Sequence, residues 1–144
     1  MSYQHIRGAI EMATGISLQA DGITRIFYDN VHYTQPSADQ AYAVIDISFV
    51  NATQDVVGCH GRDDIAGTVA VFIYTPTGGA SSVGEQAALG VLRTWCGTGA
   101  PDDFIGGDAH VRFRNLDGPR TINGPDAQPH HLHSIGADFR GRIA

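Results

Sequence analysis

The stretch Thr68-Val69-Ala70-Val71-Phe72-Ile73-Tyr74-Thr75, followed by Pro76-Thr77-Gly78-Gly79-Ala80-Ser81 and then Ser82-Val83-Gly84-Glu85, decides the fold. Its first part is rich in β-branched and aromatic residues with apolar side chains on both faces, which predicts a central strand covered on each side. Pro76 to Ser81 is a Gly-rich turn. Ser82 and Glu85 form an S-x-x-E capping box, in which each side chain satisfies an amide left without a partner at a helix start. Beyond it Gly84, Ala87, Ala88, Val91, Leu92 and Trp95 fall at i, i+3, i+4, i+7, i+8 and i+11, an apolar stripe that ends at Gly97, Gly99 and Pro101. This helix is expected to pack on the sheet.

Upstream, Ser2 can cap a first helix with Ile6, Ala9, Ile10, Ala13 and Ile16 as its apolar positions, punctuated by Asp21 and Gly22. Thr24 to Tyr28 reads as extended, and Asp29 to Gln40, with Asn30, Pro36 and Ser37, as a loop. In Ala41 to Val50, Ala43, Ile45, Ile47 and Phe49 share one face while Tyr42, Asp46 and Ser48 share the other, with Val44 the exception. A weaker strand is expected around Gln54 to Cys59. Downstream, Val111 and Phe113 alternate with His110, Arg112 and Arg114, and Asp117-Gly118 can turn the chain into a hairpin toward Arg120 to Ile122. After a second loop, Asn123 to Pro129, the last strand sets Ile135, Ala137 and Phe139 against Ser134, Asp138 and Arg140. Without alternating βαβ units, this order predicts an α+β fold: one domain over residues 1–144, with two main helices on a mostly antiparallel, mixed β-sheet. There is no internal repeat and no linker.

The 144 residues fit one domain at roughly 100 to 200 residues each. With 42% apolar and 17% charged residues, the chain has the composition of a folded protein. Its longest apolar run, Val69 to Tyr74, falls far short of the ~18 residues that cross a bilayer, and Met1 to Gly8 has no signal-like core. A soluble cytoplasmic product without membrane contact is expected. Nine Arg and no Lys oppose thirteen Asp and two Glu, for a net charge of −6, which disfavours a broadly basic nucleic-acid binder. Cys59 and Cys96 cannot form a disulfide framework, and buried free thiols are expected.

Catalytic motifs are missing. Glu85-Gln86 follows the Gly-rich turn where a phosphate loop needs Lys and Ser or Thr, and neither G-x-S-x-G nor H-E-x-x-H occurs. His130, His131 and His133 are metal-capable, but on a strand His131 and His133 share a face and His130 points away. Cys59 beside His60 is poorly placed for proton transfer for the same reason, and Asp102, Asp103 and Asp108 lack the spacing of a calcium loop. No catalytic residue, metal site or cofactor is expected. A small enzyme using His110, His130, His131 or His133 is the contrasting reading. Arg112, Arg114 and Arg120 form a basic patch candidate, with two on one strand face and the third opposite across the hairpin. Asp-rich loops such as Arg62, Asp63 and Asp64 of a neighbouring copy are the complementary surface.

The N-terminal amphipathic helix, Phe27-Tyr28-Asp29-Asn30 leading through Pro36 into Tyr42 to Phe49, Gly67-Thr68-Val69-Ala70-Val71 running to Tyr74, Pro76 and Gly79, the helix ending at Trp95 and the final strand Ser134 to Phe139 resemble, in order and spacing, the tail terminator proteins of long-tailed bacteriophages. The resemblance spans about Tyr3 to Arg140 and is least over Pro101 to Pro129. It implies a structural assembly protein of the virion, made in the host cytoplasm and placed at the tail-neck junction. Such a protein forms a homo-hexameric ring on the end of the completed tail tube, stops addition of the major tail tube protein and offers a face to the head-completion or connector protein. The genome DNA would pass through its lumen without specific binding. A head-tail connector or other neck protein is the neighbouring reading.

Overall fold

Alternating apolar residues on long strands build one six-stranded sheet, covered on one face by two helices. The computed structural model describes residues 3–28, 34, 36, 40–54, 63–76, 82–96, 104–106, 109–122 and 130–143. The elements run α1 (Tyr3–Ala20), β1 (Ile26–Tyr28), β2 (Tyr42–Gln54), β3 (Asp63–Pro76), α2 (Ser82–Trp95), β4 (Phe104–Gly106), β5 (Ala109–Ile122) and β6 (His130–Ile143). The sheet order is β1-β2-β3-β6-β5-β4. Only the β1–β2 pairing is parallel among these strands, so the fold is the mostly antiparallel α+β arrangement expected.

The covered face is built by period-two alternation. Ile45, Val71 and Ile135 lie in register across β2, β3 and β6, as do Ile47, Val69 and Ala137 in the next row, and all are buried. Phe139 faces Phe113 of β5, and Trp95 of α2 stacks on Phe113 with ring centroids 5.3 Å apart. The Trp95 indole donates to the Thr14 hydroxyl of α1 at 3.1 Å, tying the helices together where both side chains are buried.

Several expectations need correction. β3 is central, but only its face with Ile65, Val69, Val71 and Ile73 is fully buried; Ala70, Phe72 and Tyr74 on the other face are half-buried, because both helices pack on the first. In α1 the buried line is Ile6, Ile10, Thr14 and Leu18, and Ile16 is 63% exposed. Contact with α2 selects that line, since Trp95 reaches Thr14 and leaves Ile16 on the flank. β2 continues past Asn51 to Gln54 through a bulge between Phe49 and Asn51, leaving Val50 exposed. Most of the weaker strand expected at Gln54 to Cys59 lies outside the described residues, as do Cys59, His60 and the side chain of Ser82. Cys96 is free and exposed, not buried: it follows Trp95 and lies one position off the apolar stripe. β4, a strand the sequence reading did not include, pairs with the start of β5.

The expected hairpin at Asp117-Gly118 does not form. β5 runs through these residues and pairs with β6 from Ala109 to Ile122, with irregularities between Arg114 and Asp117 and between Asp117 and Arg120. Asn115 has φ 55° and Gly118 φ 107°. Both conformations are left-handed, tolerated by Asn and Gly, so the turn-forming residues bulge one strand and do not reverse it.

Candidate functional site: the open face of the sheet

Alternation on β5 buries Val111 and Phe113 and sends Arg112 and Arg114 to the opposite face, where both are exposed. On β6 the same alternation buries Ala137 and Phe139 and exposes Asp138 and Arg140. Register then decides the neighbours: Arg112 lies opposite Arg140, and Arg114 opposite Asp138. Asp138 accepts a 2.7 Å hydrogen bond from the Asn115 side-chain amide, so the first bulge supplies a partner for this carboxylate. Thr68 and Ser48 continue the Asp138 row across β3 and β2, and both are exposed. The result is a flat polar surface with three guanidinium groups at one end.

Arg120 is on the same strand beyond the second bulge and pairs in register with Ser134. Its guanidinium binds Asp117 at 2.9 Å, with both side chains mostly exposed; such a pair contributes little to stability. Arg62 lies outside the described residues. Asp63 and Asp64 are not in a loop; they open β3, opposite Gln54 and Thr53 of β2 and Ile143 and Arg142 of β6. The structure therefore joins Arg112 and Arg114 with Arg140, which the basic-patch reading missed, and separates Arg120 from them by the bulges. Arg140 was already placed on the polar side of its strand; the missing information was that β6 is the partner of β5.

Toward the other end this face turns aromatic. Tyr42 and Tyr74 stack at 4.5 Å, and the His130 ring meets Tyr42 edge-on at 5.1 Å. His130 is buried and donates from Nε2 to the Gln40 carbonyl at 2.9 Å. As the strand reading required, His131 and His133 point to the helix-covered face. His133 is fully buried beneath the first turn of α2, its Nδ1 3.4 Å from the Thr121 hydroxyl and its Nε2 without a hydrogen-bond partner. Burial pushes its pKa below the usual histidine value, an effect the Glu85 carboxylate opposes and His131 reinforces. Among the described residues, no three His, Cys, Asp or Glu side chains gather as a metal site. Asp102, Asp103 and Asp108 are outside the described residues, as is the side chain of His110.

A second surface feature is a shallow groove between α1 and the short edge strand β1, lined by Glu11, Met12, Gly15, Ile16, Ile26 and Tyr28 among others. Met12 and Ile16 are more than half exposed there. Tyr28 has its pKa raised by burial and by the neighbouring Glu11 carboxylate. Among the described residues, no helix is long and apolar enough to cross a membrane.

No family model and no curated protein matches the chain. Solved structures do match. One, of a protein known by a sequence identifier alone, is 20% identical, with a TM-score of 0.66 over 100% of this chain and 96% of that one. Another, a chain in the virion of a native gene transfer agent particle, is 17% identical over 99% of this chain and 98% of that one, with a TM-score of 0.49. At these identities the first likeness establishes a shared fold, and the second is too distant to carry an argument.

Proposed function

We propose that this chain is a phage structural assembly protein, a tail terminator that closes into a homo-hexameric ring on the completed tail tube. There it stops further addition of the major tail tube protein and offers its other face to the head-completion or connector protein at the tail-neck junction. The reading is that of a non-enzymatic protein without cofactor or metal, working through protein surfaces. The observation that carries it is the flat, exposed row of Arg112, Arg114 and Arg140 beside Asp138 on an otherwise acidic chain, a surface suited to charged protein partners. What supports this particular role for the surface is the resemblance of the order and spacing of the sequence elements to those of tail terminators. Negative charge over much of the molecule would repel DNA and let a genome pass the ring without specific binding.

The test is to add the purified protein to polymerising tail tube protein and measure tube lengths by electron microscopy. A terminator shortens the tubes and is found at one end of each. Replacing Arg112, Arg114 and Arg120 together by Ala, on an exposed face where folding is preserved, weakens ring or tube contact. Tubes of unchanged length, with binding instead to the portal or head-completion ring, would make the chain a connector.

A further inference from the structure

We infer that His133 is an acid-operated latch between β6 and α2: with its ring neutral the first turn of α2 is seated on the sheet, and with its ring protonated that turn lifts while the far end of the helix stays docked. The latch is independent of the ring reading given above. A Cβ on Gly84 would lie 2.7 Å from His133 Nε2, and Cβ positions on a helix lean toward its N-terminus. Nε2 therefore sits against the start of α2, in a residue with no exposed surface.

The two forms of the ring differ in the partners they need. A neutral imidazole has one N–H and one acceptor nitrogen, and the Thr121 hydroxyl, 3.4 Å from Nδ1, can meet either. An imidazolium carries an N–H on both nitrogens, and Nε2 has no partner. The start of α2 supplies no acceptor, because its first amides are donors without intrahelical carbonyls and carry the positive end of the helix dipole. The Thr75 hydroxyl of β3, on the same face and one residue pair away, is buried and likewise unbonded. The acceptor for the second N–H is therefore water, which reaches Nε2 once the first turn of α2 moves off the sheet.

Among the described residues, few titratable groups surround the ring. α2 brings Glu85, an exposed residue whose carboxylate favours the charged ring, and β6 brings His131, which disfavours it; burial outweighs Glu85 and holds the pKa below the ordinary value. β3 and β5 bring only the Thr75 and Thr121 hydroxyls. Arg120 and His130 belong to the other face of the sheet, and Asp21 of α1 lies against Gly90, further along α2. The far end of α2 is held without any titratable group: Trp95 is buried, donates to Thr14 at 3.1 Å and stacks on Phe113.

Amide exchange followed by NMR on the full chain, expressed as protection relative to the unstructured rate at each pH, tests the latch. Gln86, Ala87 and Ala88 carry the first α2 amides that bond within the helix, to the Ser82, Val83 and Gly84 carbonyls. As pH falls below the ordinary histidine value of ~6.5, their protection drops by up to about tenfold per pH unit, because the lifted state takes up the proton. The amides of Leu92 to Trp95 keep their protection over the same range. His133→Leu abolishes the drop. Glu85→Gln, which keeps a side chain able to complete the cap, enlarges the total drop, and His131→Gln reduces it. Neither of these side chains is fully buried, so the pair decides the question even where His133→Leu fails to fold. Protection that is independent of pH, that is lost equally at both ends of α2, or that responds to Glu85→Gln and His131→Gln in the same direction overturns the latch.

Discussion

At the scale of single residues, the tightest constraint lies where α2 crosses β6. A Cβ on Gly84 would fall within the His133 imidazole, so the absence of a side chain lets the helix sit on the ring. Helix propensity favours Ala over Gly by ~1 kcal/mol, yet overpacking a rigid neighbour costs about 1–3 kcal/mol. Gly84→Ala is therefore expected to lower stability, seen as a drop in urea midpoint at unchanged slope; a rise would mean the helix shifts without penalty. Burial holds the His133 pKa below the ordinary value, because an imidazolium there would lose its hydration, and Glu85 only partly opposes this. In the window between the lowered value and the ordinary ~6.5, the unfolded chain binds more protons. The stability contribution is therefore complete above the ordinary value and is lost as pH falls from there through the lowered one. Urea titrations across this range should show the loss, and His133→Leu should flatten it. An NMR titration placing His133 at or above the ordinary value would reject the account. Nothing in the local sequence around His133 marks it as buried; that required knowing that Gly84 lies above it.

At the scale of elements, α1 separates what periodicity predicts from what packing selects. Ile10 and Ile16 both fall on the apolar stripe read from the sequence, but Ile10 is fully buried and Ile16 exposed. Ile10→Ala is expected to cost about 2–5 kcal/mol and Ile16→Ala to stay within ~0.5 kcal/mol, both from denaturant unfolding. Equal losses would mean that Ile16 is covered in solution. Thr14, polar and easily assigned to a solvent face, sits in the buried line because it accepts from Trp95. Thr14→Val strands that indole N–H, with an expected cost of about 1–3 kcal/mol. Helix α2 was legible almost residue by residue, since its cap, stripe and stop signals agree. The strands of Ala43 and Ile135 were legible from alternation, and that of Val69 from its β-branched and aromatic run, which wrongly suggested full cover on both faces. The path of β5 was not, because Asn115 and Asp117-Gly118 carry the chemistry of a turn, and only pairing with β6 along its whole length shows that they form bulges.

At the scale of the whole molecule, strand pairing gathers Arg112, Arg114 and Arg140 on the open face of the sheet in a chain of net charge −6. Arg112 and Arg114 could be placed on an exposed face from their own alternation, whereas Arg140 joins them through a pairing between strands that sequence spacing does not encode. Asp63 and Asp64, read as a loop, became part of a strand because β3 is longer at its start than its apolar core suggests. The surface as a whole offers two ways for copies to associate, and they differ in physical character. Contact through the arginine row would depend on exposed charges, whose interaction range shrinks from ~10 Å at 0.1 M salt to ~3 Å at 1 M. Contact through the Met12 and Ile16 groove would depend on apolar burial, which excluded salts such as sulfate strengthen. Sedimentation velocity in rising sodium chloride should therefore show the multimer fraction falling, with Met12→Ser leaving the profile unchanged. A multimer that survives high salt, is strengthened by sulfate and is lost with Met12→Ser would move the interface to the helix groove and leave the arginine row to another partner.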